Sequence, residues 1–142
     1  MQFTGVDGVV LTTTWKDLAD DAEDYVYLVE QLKKYGIDCK GVSISHSIQT
    51  SFSDVMSMPS GERTFFHARG ANAEFSPEDI DVSALDCDIF HIGYILLLDA
   101  MDKADPEHGT VMAGLLKAVQ EKGIKTSVDV VSDSTADYKA KI

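Results

Sequence analysis

The chain reads as an α/β domain: a partial parallel sheet with flanking helices, and a small β flap inserted between two helices. Three observations predict it. Between Lys16 and Tyr35 the apolar residues Leu18, Ala22, Val26, Val29 and Leu32 recur at threes and fours, the period of an amphipathic helix. From about residue 42 to 68 the period drops toward two, with Ile44, His46 and Ile48 alternating with serines. From Asp88 to Val131 the order is apolar strand, helix, apolar strand, a βαβ unit whose strands should run parallel with a right-handed crossover.

Residues 5–13, GVDGVVLTT, form a short extended segment weakened by two glycines. The helix after it stops at Gly36, with Lys33 and Lys34 in a last turn where the helix dipole favours cations. Phe52 to Met58 and Arg63 to Ala68 are extended runs joined by a Pro59-Ser60-Gly61 turn. Small polar residues outnumber large apolar ones across this flap, which suits an exposed, one-sided hairpin. Ser76-Pro77-Glu78-Asp79 has the form of a helix start, serine capping and proline in the first turn. Asp88 to Gly93 is a buried-type strand. Asp105-Pro106-Glu107 opens a helix whose Val111, Leu115, Leu116 and Val119 face a core and which Gly123 closes. Ile124 to Val131 is the second strand, and Ser132 or Asp133 caps a further helix.

Composition narrows the function. At 142 residues, 44% hydrophobic and 25% charged, the chain suits one domain of 1–142 with its own core. Twelve basic against 24 acidic residues give a net charge of -12, which disfavours nucleic acid or an anionic membrane as partners. No apolar run is long enough to span a membrane, and the first residues lack the basic start and apolar block of a signal peptide. Cys39 and Cys87 stand far apart without metal-ligand spacing, so reduced thiols in a cytoplasm are expected. His46, His67, His91 and His108 show no zinc spacing, so no metal site is expected. No serine nucleophile elbow or Walker lysine occurs. His91, inside an apolar strand, reads as a hydrogen-bonded core histidine rather than a base.

Four segments in fixed order carry a more specific signal: "YGID", then "GERTFFHARGANA", then "DIFHIGY", then "GIKTSVDVV". Each is weak alone. Together, over about Asp20 to Val131, the chain resembles the central portion of the PfkB (ribokinase-like) carbohydrate kinases. The resemblance implies a partial ribokinase-like sheet with a β lid at about 42–72, Gly61-Glu62 as its turn, and Gly70-Ala71-Asn72 where the lid returns to the main domain. It implies a sugar or related polyol as partner, with His67, Arg69, Asn72, Gly93 and Tyr94 as substrate-binding residues. Gly93 and Tyr94 close a parallel strand at its carboxyl end, where open α/β sheets bind ligands. Plain lid packing for Phe65 and Phe66, an Arg63–Glu62 pair, and a rim position for Tyr94 stay open as alternatives. Asp129 stands where the family often has Asp-x-Asn, but Val131 replaces the asparagine. Capping the next helix and facing a polar cleft are both compatible with Asp129.

Full-length relatives of this kind use ATP and magnesium to phosphorylate a sugar hydroxyl. Their Gly-Ala-Gly-Asp segment supplies a base and a helix amino terminus for the developing phosphate charge. The sequence contains no Gly-Ala-Gly-Asp, no Asn-x-x-Glu segment and no glycine-rich "GG-x-x-x-N" motif. No catalytic residue is therefore assigned. The isolated chain is expected to be inactive and to bind neither ATP nor magnesium, as the middle of a kinase would be. The other expectation is a non-catalytic sugar-binding or dimerisation module. In either case an uncovered sheet and a lid should drive homo-oligomer formation.

Overall fold

The computed structural model describes residues 14–16, 29–45 and 47–131 of the chain. The chain divides into two compact units, Met1–Ala71 and Asn72–Ile142. The expected strand at 5–13 and the helix cap at Ser132 or Asp133 lie outside the described residues, as does most of the helix expected from Lys16.

In the first unit, β1 (Thr14–Lys16) pairs in parallel with β2 (Ser43–Ser45). Lys16 thus belongs to a strand and does not begin the helix. Residues 29–34 are helical (α1), and the helix ends as expected at Gly36, whose φ of +76° suits glycine. The amide of Gly36 donates to Lys33 O (2.9 Å). The flap is an antiparallel hairpin of β3 (Phe52–Ser57) and β4 (Arg63–Ala68). Met58 N donates to Glu62 O (2.8 Å) and Gly61 N to Met58 O (2.9 Å), closing the turn with Gly61 at φ +89°. The expected one-sidedness fails: apart from Ala68, every residue of both strands is exposed, so both faces meet solvent. A two-stranded ribbon without a covering layer buries neither face.

The second unit holds a parallel pair, β5 (Ile89–Ile95) and β8 (Lys125–Val130), joined through α2 (Val111–Glu121). A tiny antiparallel hairpin, β6 (Ala104–Asp105) and β7 (Gly109–Thr110), precedes the helix. Mixed α/β is therefore the observed class, with parallel pairs and antiparallel hairpins. Met112, Leu115 and Val119 of α2 are buried together with Ile92, Ile95, Leu98, Met101 and Ile124. Leu116 and Val111 pack against this core while only partly buried.

Two helix starts need correction. Ser76 and Asp79 do form a capping box, but it opens only a pair of 3-10 turns, Pro77–Asp79 and Val82–Ala84. Ile80 is extended between them, and the Asp81 carboxylate accepts from Ser83 N (3.0 Å) and Ala84 N (3.3 Å), restarting the chain locally. The Ser83 hydroxyl, with those amides, holds the Asp81 carboxyl below its ordinary value. Likewise Asp105 opens no helix. Its Oδ1 accepts from His108 N (2.7 Å) and Glu107 N (3.0 Å), making the β6–β7 turn. The helix begins farther along, where the Thr110 hydroxyl accepts from Ala113 N (3.1 Å).

At the far end of α2, Gly123 at φ +83° turns the chain into β8. Lys122 Nζ donates to the carbonyls of Val82, Ser83 and Leu85, each at 2.8 Å, tying the 3-10 turn to the helix end. Cys39 and Cys87 are free. No helix among the described residues is long and apolar enough to cross a membrane.

Candidate functional site

Cross-strand register sorts the hairpin side chains onto two faces. Ser53, Val55 and Ser57 oppose His67, Phe65 and Arg63 on one face; Phe52, Asp54 and Met56 oppose Ala68, Phe66 and Thr64 on the other. On the first face Ser53 Oγ lies 2.7 Å from His67 Nδ1, and the Arg63 guanidinium stands 5.6 Å from the centroid of the Phe65 ring. Arg63 thus meets an aromatic face rather than Glu62, whose carboxylate accepts from the Ser60 hydroxyl (3.0 Å). Phe65 and Phe66 are both more than half exposed, at 56% and 58%, so neither is plain packing within its unit.

The return of the flap depends on Gly70. Its φ is +51°, and a Cβ there would collide with Gln49 O and stand 2.8 Å from Ser51 N. Ala71 N donates to that same Gln49 carbonyl at 2.7 Å, and Ala71 is fully buried. The strand therefore breaks at glycine because backbone crosses backbone there. Arg69 is exposed at the end of β4, and Asn72, half-buried, lies in the 3-10 turn Gly70–Ala73.

In the second unit Gly93 and Tyr94 fall in β5, where the register with β8 breaks between Ile92 and Ile95. Both are exposed, Tyr94 at 45%. A Cβ at Gly93 would stand 3.4 Å from Asp129 Cβ and 3.5 Å from His91 Nε2. Ala100 N donates to Ala73 O (3.0 Å), tying the residue after Asn72 to the loop beyond β5. His67 and Arg69 belong to one unit; Asn72, Gly93 and Tyr94 belong to the other.

His91 is not the core residue its strand suggested. It is exposed, and its Nδ1 lies 3.1 Å from Ser127 Oγ across the parallel pair. Residues 89, 91, 125 and 127 share that open face, while Gln120 of α2 donates to Thr126 Oγ1 (2.7 Å) on the other. Alternation alone cannot tell which face of a strand a helix will cover, so nothing in the pattern around His91 marks it as exposed. The exposed Asp129 carboxylate accepts from the adjacent Val130 N (3.0 Å). A shallow concavity of about 510 Å³ lies at the opposite, amino ends of β5 and β8, lined by Asp88, Ile89, Lys122 and Lys125 among others. It is remote from the strand ends where this architecture binds ligands.

No protein-family model matches the chain, and no curated protein does. Solved structures do. A ribokinase from Giardia lamblia aligns over 92% of this chain and 38% of its own, at 12% identity and a TM-score of 0.66. A fructokinase from Xylella fastidiosa aligns over 89% and 37%, at 21% identity and a TM-score of 0.61. An E. coli ribokinase II covers 84% of this chain and 36% of its own at 20% identity, again with a TM-score of 0.61. The fold matches part of the ribokinase fold. The chain spans between 36% and 38% of the length of these kinases. Structures of the E. coli protein with ATP and Mg2+ and of the Xylella protein with ATP are known.

Proposed function

We propose that this chain supplies the lid and part of the central sheet of a PfkB-type carbohydrate kinase, which transfers the ATP γ-phosphate to a sugar hydroxyl. The observation that carries the reading is the hairpin β3–β4 followed by the Gly70 crossing and the β5–α2–β8 unit, in a fold otherwise matched by ribokinases and a fructokinase. In this reading His67, Arg69, Asn72, Gly93 and Tyr94 contact the sugar. Imidazole, guanidinium and amide side chains supply the donors and acceptors that hydroxyl groups require.

ATP and Mg2+ belong to the whole kinase by analogy with the similar proteins solved with them. The sequence has no Gly-Ala-Gly-Asp segment, and among the described residues no group of three or more His, Cys, Asp or Glu could hold a metal ion. The chain's own contribution is sugar contact and, through the exposed faces of the hairpin, association with a second copy. That second role also suits a non-catalytic module.

A thermal-shift screen of the purified chain tests this. A sugar should raise the melting temperature by itself, and Mg-ATP should not. A shift with Mg-ATP alone would show a phosphate site these residues do not explain, and no shift with any sugar would end the sugar-contact reading.

A further inference from the structure

Gly114 stands in the middle of α2, where glycine weakens a helix relative to alanine. Its surroundings explain it. A Cβ at position 114 would stand 3.3 Å from His108 Nδ1 and 3.6 Å from His108 Cγ, so the bare backbone makes room for the imidazole. His108 belongs to the turn between β6 and β7, and its side chain is 24% exposed. Among the described residues, three charged groups meet that ring: Asp105 and Glu107 from its own turn, and Lys117 from α2. Asp105 Oδ1 lies 3.2 Å from Nδ1. An ionised carboxylate only accepts, so Nδ1 carries the proton and the neutral ring keeps its lone pair on Nε2. The His108 amide, with that of Glu107, holds the Asp105 carboxyl below its ordinary value, so this partner stays ionised as the pH falls. At Nε2 the surroundings are divided. Lys117 Nζ stands 3.4 Å away as a donor, and Glu107 Oε1 stands 3.7 Å away as an acceptor.

We propose that His108 is a pH-operated latch: neutral, it ties its turn to α2 through Lys117, and protonated, it releases Lys117 and turns to Glu107. Neutral imidazole accepts at Nε2 and suits only the lysine; imidazolium donates there and suits only the glutamate. Imidazole is the side chain whose charge changes between about pH 5 and 8. The bond from Nδ1 to Asp105 persists in both states, so the ring stays in place over Gly114 and only the partner at Nε2 changes. Imidazolium and ammonium repel each other at this distance, and the exposed Lys117 can move into water. On the acid side the turn is held within itself and loses its tie to the helix.

The test is NMR and thermal unfolding of the full 142-residue chain at about pH 8 and about pH 5.5, with Lys117→Met, Glu107→Gln and His108→Gln. His108→Gln identifies the His108 signals among those of four histidines. At the higher pH, nitrogen chemical shifts should show His108 protonated at Nδ1 and bare at Nε2. Protonation at Nε2 alone overturns the inference, because Lys117 would then face a donor. Compared with the unaltered chain at the same pH, Lys117→Met should lower the Tm by roughly 2 °C at the higher pH and not at the lower. Glu107→Gln should show the reverse. In the His108→Gln background both pH dependences should vanish. Equal losses at the two pH values, as a merely structural contact would give, or pH dependences that survive His108→Gln, also overturn the inference. Glu107 and Lys117 are exposed, so circular dichroism should show their variants folded.

Discussion

Gly70 and Gly61 both have positive φ and both read as turn glycines in the sequence, yet their surroundings differ. Nothing lies within 4 Å of a Cβ built at Gly61, whereas at Gly70 the Gln49 carbonyl occupies that place. A Cβ at positive φ costs roughly 1–2 kcal/mol by itself. Gly61→Ala should therefore lower unfolding stability by about that amount. Gly70→Ala carries the same backbone cost and must also displace the 49–51 segment, so it should cost more than about 2 kcal/mol. Urea unfolding of the two variants checks the order, and equal losses would mean the crossing yields freely. Glycine as the place where the flap breaks is legible in the sequence because glycine alone serves positive φ cheaply. The close approach is not, because Gln49 is distant along the chain and no local pattern marks it.

At the scale of elements, what periodicity can read and what it cannot separate cleanly. The apolar spacing of Leu115 and Val119 locates α2, and alternation locates the hairpin within a residue or so of β3 and β4. The helix starts read at Ser76 and at Asp105 give way to local turns that aspartates hold. Asp81 and Asp105 each bind amides two and three residues ahead, an arrangement with the same residue preferences as a helix cap but without a helix after it. Thr110 is the true cap, and the sequence hides it because Asp105-Pro106 offers a stronger start signal. Since Thr110 is itself buried, removing its hydroxyl leaves Ala113 N without its partner. Thr110→Ala should destabilise the second unit by about 1 kcal/mol, and Thr110→Ser should recover most of it. Thermal unfolding of both variants tests the assignment; no loss with alanine would place the start of α2 elsewhere.

For the molecule as a whole, the legible part is the order of four short segments, and the fold agrees with that order although similar solved kinases share only 12% to 21% of residues with it. What order cannot convey is which surfaces stay uncovered. The hairpin face opposite Arg63 presents Phe52, Met56 and Phe66, each at least 54% exposed, and the parallel pair presents Ile89 at 60% and Val130 at 50%. An exposed two-stranded ribbon also leaves unpaired backbone groups along both outer edges. Exposed apolar surface on either element favours association, because each buried Å² contributes about 25 cal/mol. The chain should therefore self-associate at micromolar concentration. If the hairpin is responsible, Phe66→Ser should shift sedimentation toward the monomer, while Phe65→Ser, on the Arg63 face, should leave the assembly intact. Dissociation by Ile89→Ser with no effect of Phe66→Ser would move the interface to the sheet. A wild-type chain that sediments as a monomer would mean that these surfaces, though apolar, are too small or too interrupted by Asp54 and Thr64 to hold two copies together.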